Sequence, residues 1–120
     1  MPDDQMLAPY GGYDGLSRIT ATFVERVQKH PRIGRFFQDA DGERLSAMLS
    51  DQFCDLLGAG CKYSGKKMLD VHRGLSIGTA DFNALVEALQ EALDAAGVPV
   101  AQQNRLLARL APMHRDVVQR

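Results

Sequence analysis

Apolar residues along this chain recur at intervals of three and four, and almost nowhere at two. Ile19, Phe23, Val24 and Val27 form one such stripe between Asp14 and Lys29, the spacing of an amphipathic helix. "GGYDG" precedes it as a breaker, and Pro31 ends it by disfavouring helical geometry at His30. A turn through Phe36 and Phe37 leads into "DADG". A second helix is predicted from Gly42 to Leu57, with Leu45, Met48, Leu49, Phe53, Leu56 and Leu57 on its stripe and "GAG" as its stop. A short helical piece is predicted over 66–74, ended by Gly74. "TADF" opens a long helix to Ala96, with Thr79 or Asp81 as cap and Gly97 and Pro99 as the stop. The last helix, 101–118, carries Leu106, Leu107, Leu110, Met113 and Val117, and Pro112 should kink or split it. No segment alternates over six positions, so the expected fold is all-α with about four substantial helices.

Composition narrows the class. A chain of 120 residues, 45% apolar, suits one compact domain spanning 1–120. Its 14 basic and 15 acidic side chains leave a net charge of -1, which argues against nucleic acid as a partner. No apolar run reaches the ~18 residues of a membrane span. The acidic start "MPDDQMLAPY" lacks the basic and apolar regions of a signal peptide, so a cytoplasmic location is expected. The 11 glycines exceed what helix capping needs, as if short helices turned sharply around a bulky non-protein object.

The chemistry is sparse. Cys54 and Cys61 have no CxxC spacing and no histidine pair nearby, so neither a disulfide framework nor a zinc site is expected. Cys54 reads as a small free core residue and Cys61 as a loop residue. Nothing forms a hydrolytic triad or a paired-carboxylate site. His72 shares a helical face with Met68 and Leu69. It is either a core histidine bonded to a carbonyl or the holder of something else.

The ordered motifs decide between these. "YGGYDGL", Phe23 followed by "ERV" after one residue, "IGRFF", "LLGAGCKYSG", "MLDVHRGLSI" followed by "DF", "ALDAAGVP" and "LAPMHRDV" lie in the register of the group I truncated haemoglobins. The sequence resembles that family over nearly its whole length. The resemblance implies a truncated globin fold, a two-over-two helical sandwich enclosing haem b. It makes His72 the proximal iron ligand, a usual role for a neutral imidazole. Phe36, Phe37, Met68, Ile77, Phe82 and Val86 become apolar neighbours of the porphyrin, with Phe37 stacking on it. Tyr63, Lys62 and Lys66 become candidates for the propionates. The expected ligands are diatomic gases (O2, CO, NO), on a monomer or weak dimer.

The departures from the family pattern matter equally. Gly58-Ala59 stands where the family usually has Gly-Gly. Val24 replaces the tyrosine that follows the phenylalanine of the second helix, and Leu45 and Leu49 line the distal helix. None can donate a hydrogen bond, which should weaken retention of O2 by about 1–3 kcal/mol. Met48 aligns with a position where some relatives carry a second iron ligand, and a thioether can serve as one. Six-coordinate His72–Met48 iron and electron transfer form the alternative function. His114 lies where some relatives attach haem covalently; otherwise it is a solvated helix-end histidine. NO oxidation would require an external reductase, since no GxGxxG motif is present. A helical interaction module that has lost its cofactor is the third option, disfavoured by the retained His72, Phe37 and Met68.

Overall fold

The computed structural model describes residues 3–63 and 78–113. It contains α1 (Asp4–Leu7), α2 (Gly12–Gln28), α3 (Gly42–Leu56), α4 (Thr79–Ala95) and α5 (Val100–Leu110). Short 3-10 turns lie at Ala8–Tyr10, Gly34–Phe37 and Ala111–Met113. Among the described residues there is no strand.

α2 is the hub. It packs against α1, α3, α4 and the first two turns. Leu16, Ile19, Val27 and Thr20 on α2 are sealed from solvent together with Leu7, Ile33, Leu93 and Leu106. The α2–α3 contact carries a hydroxyl cluster: Thr20 Oγ1 lies 2.9 Å from Ser46 Oγ and 2.7 Å from Ser50 Oγ. α4 lies against α2 and α5, whereas α3 and α4 have only marginal contact with one another. Two helices thus lie over two, and α3 and α4 stand apart.

The helix ends follow from capping chemistry. Asp3, unremarked in the sequence beyond its charge, caps α1 by accepting from the N–H groups of Gln5 (3.0 Å) and Met6 (3.2 Å). Asp41 caps α3 in the same way. The cap of α4 is Gly78 rather than Thr79 or Asp81; Asp81 sits in the first turn and reaches back to accept from the Gly78 N–H at 3.0 Å. α3 ends in a Schellman turn: the Gly58 N–H donates to Asp55 O and the Ala59 N–H to Cys54 O. The φ of 71° at Gly58 is what this turn requires, and Ala59, at the second position of the expected Gly-Gly pair, is buried instead. At the far end α5 stops at Leu110 and a 3-10 turn takes over. Pro112 lacks the N–H that would continue the α-helical ladder. The helical piece expected over 66–74 and the end of the last helix lie outside the described residues.

The cysteines correct the sequence expectation. Cys54 is buried and Cys61 lies in a loop, but they are not free thiols: they form a disulfide with a Cα–Cα distance of 5.4 Å. The Schellman turn reverses the chain and carries Cys61 back over the last turn of α3. Closing so short a loop contributes about 2–3 kcal/mol by restricting the unfolded chain.

Candidate functional site

Beside the sealed core, a set of apolar side chains is only half buried. From α3 come Leu45, Met48, Leu49 and Leu56, from α4 Phe82, Leu85 and Val86, and from the second 3-10 turn Phe36 and Phe37. At 100° per residue, Leu45, Leu49 and Leu56 lie roughly a quarter-turn round α3 from Ser46 and Ser50, which face α2. Phe36, Phe37, Leu45, Leu49, Leu56 and Leu85 pack on the core on one side and stay partly open on the other, which suits a flat apolar ligand.

The turn that presents the two phenylalanines is held from three sides. Ile33 is fully buried, and the Gly34 N–H donates to His30 O at 2.8 Å. His30 is half buried, and its Nδ1 accepts from the Arg32 N–H at 3.0 Å. Arg32 Nε donates to Asp81 Oδ1 at 2.8 Å, tying the turn to the first turn of α4. The Arg35 guanidinium covers the Phe36 ring at 4.7 Å. This Arg32–Asp81 clamp escaped the sequence reading, because its partners are 49 positions apart.

The Asp81 carboxyl is held below its ordinary pKa, first by the Gly78 N–H bond and then by Arg32. A depressed native pKa stabilises the fold above the ordinary carboxylate value, and that stabilisation is lost as pH falls through the native value. Asp81→Asn is therefore expected to flatten the loss of stability seen below about pH 4. Urea midpoints measured across acid pH check this, and an unchanged acid slope in the variant would contradict it.

Six of the sequence-selected residues, Phe36, Phe37, Leu45, Leu49, Phe82 and Val86, are half buried, as is Met48. Lys62 is exposed and Tyr63 half buried beyond the Schellman turn, with the Tyr63 N–H bonded to Asp55 Oδ2 at 2.9 Å. Lys66, Met68, His72, Ile77 and His114 lie outside the described residues. Val24 is buried and lines a groove of about 570 Å³ between α2 and α3 with Gly42 and Ser46. The nearby hydroxyls of Thr20, Ser46 and Ser50 are spent on one another and on the carbonyls of Ser17 and Ser46. Missed in the sequence was Gln52, a buried polar residue three positions after Leu49 and four before Leu56. The signal was present as a polar break in an apolar stripe.

An all-helical two-over-two sandwich with half-buried apolar side chains on α3, α4 and the paired-phenylalanine turn is the architecture of the globin class. The chain belongs to the bacterial-like globins: the family model matches residues 8–119. It is similar to the group 1 truncated haemoglobin of Mycolicibacterium paratuberculosis, 30% identical over 107 residues, covering 89% of this chain and 79% of that one. It is also similar to the group 1 truncated haemoglobin of Tetrahymena pyriformis, 26% identical over 90% of this chain and 89% of the relative. The crystal structure of that ciliate protein in its Fe(III) form superposes with a TM-score of 0.89 at 24% identity, covering 96% of this chain and 98% of the other. The group I resemblance and the all-α truncated-globin fold therefore hold, and haem-based gas binding follows from the family. Among the described residues no helix is long and apolar enough to cross a membrane.

Proposed function

We propose that the α3–α4 cleft holds one haem b, with His72 as the proximal iron ligand, and that the protein reversibly binds a diatomic gas. The observation that carries this is the wall of half-buried Phe36, Phe37, Leu45, Leu49, Phe82 and Val86 in a chain of the globin family. When bound, haem supplies an iron centre that takes up O2, CO or NO. The chain's own part is to seat it, exclude water and set the polarity around the ligand. Phe37 would lie against the macrocycle, Met68 and Ile77 would add to the apolar lining, Lys62, Tyr63 and Lys66 would serve the propionates, and His114 is the candidate for covalent attachment. With Val24, Leu45 and Leu49 on the distal side, the family's tyrosine donor is missing, so O2 release would be fast without a donor from elsewhere on the distal side. A role in NO oxidation belongs to this proposal only together with an external reductase.

The half-burial of Met48 on α3, beside Leu45 and Leu49, favours a second reading: six-coordinate His72–Met48 iron and electron transfer. The visible spectrum of the dithionite-reduced protein without added ligand separates the two. A single broad band means five-coordinate iron and gas binding; sharp split bands that vanish in Met48→Ala mean a methionine ligand. A purified protein that takes up no haem would overturn both.

The chain is proposed to act as one domain over 1–120, as a monomer or weak dimer without nucleic-acid or membrane partners. The cytoplasmic location also remains a proposal, and the Cys54–Cys61 disulfide weighs against it, since reducing compartments keep such pairs as thiols.

A further inference from the structure

We infer that Gln52 is the distal hydrogen-bond donor of this protein, taking over the polar role that Val24, Leu45 and Leu49 cannot fill; the inference rests on the haem-binding proposal above. Gln52 is only 5% exposed. A buried amide normally finds partners, because leaving one unpaired costs its desolvation. The polar neighbours on the opposite side of α3 are already committed: Thr20, Ser46 and Ser50 bond one another. The other buried polar residues are also paired, Gln103 with Asp94 and Val98, and Asp81 with Gly78 and Arg32. Gln52 stands apart, for its amide makes no hydrogen bond among the described residues. No fully sealed side-chain nitrogen or oxygen lacks a partner there. The amide of Gln52 therefore keeps part of the small remaining exposure, at the end of the side chain.

Its position on α3 says where that opening is. Gln52 follows Met48 by four residues and Leu49 by three, and precedes Leu56 by four, so it shares their face. That face carries the half-buried Leu45, Met48, Leu49 and Leu56, the apolar wall assigned above to the haem. An amide presents two N–H donors and one carbonyl acceptor. Toward a ligand whose outer atom gains negative charge, the N–H end turns inward. Gln52 is thus a polar group that the apolar wall holds ready but does not itself satisfy. The same amide disfavours an empty, dry pocket, because without ligand it can be satisfied only by water.

The test is the C–O stretching frequency of the ferrous carbonyl complex, read by infrared in wild type and Gln52→Leu, together with O2 dissociation. A donor pointing at the ligand strengthens back-donation and lowers the C–O stretch. The expected result is a higher stretch in Gln52→Leu and O2 release faster by on the order of tenfold. Gln52→Met, unbranched and similar in length, repeats the measurement should leucine disturb packing at this buried site. Equal C–O stretches and equal O2 release, with intact haem bands in all three proteins, would overturn the role of Gln52 and leave haem binding standing. Absence of haem bands in the wild type would overturn the haem-binding proposal itself, and with it this one.

Discussion

His72→Ala is expected to lose tight, one-to-one haem binding. In the proposed site the apolar wall would still attract a porphyrin by burying its faces, but a bond from imidazole to iron would fix its position and stoichiometry. Loss of a residue that only supports a metal ligand costs about 10–100-fold in affinity. Loss of the ligand itself should exceed that. Weak association with a shifted, broadened Soret band would reflect water or a substitute ligand, Met48 among the candidates. The comparison is a haemin titration of the two apoproteins side by side. A variant spectrum and binding curve equal to wild type would remove His72 from the iron.

Gly15→Ala is expected to destabilise the fold, against the usual rule. In a helix interior alanine is ordinarily better than glycine by about 0.5–1 kcal/mol. At this position a Cβ would lie 2.2 Å from the Tyr10 carbonyl oxygen and 3.0 Å from its carbon. That backbone cannot retreat easily: Tyr10 is buried, and its hydroxyl donates to Gln102 O at 2.8 Å, anchoring the turn to α5. Forcing atoms into such a contact costs about 1–3 kcal/mol, enough to reverse the sign. Thermal unfolding checks it; a midpoint equal to or above wild type would show that the turn yields.

These two positions mark what was legible in the sequence. His72 is singled out by family register alone, and it lies outside the described residues. Helix α2, α3 and α4 begin and end within two residues of their expected bounds, because periodicity and glycine stops act locally. Glycine abundance, read as tight turns around a bulky object, has nearer causes at several sites. Gly15 accommodates the Tyr10 carbonyl, and Gly58 permits the Schellman turn. What stayed hidden depends on tertiary proximity. The Arg32–Asp81 clamp joins distant segments. The Cys54–Cys61 bond needs the helix to end between its partners. Gln52 becomes conspicuous only when its burial and its lack of partners are seen together.

The most direct measurement is titration of the wild-type apoprotein with haemin, followed by absorbance in the Soret region. A sharp break at one equivalent, with a band that sharpens further when CO is added to the reduced protein, is the predicted result. A featureless rise with no break, equal to haemin in buffer, would contradict haem binding by this cleft.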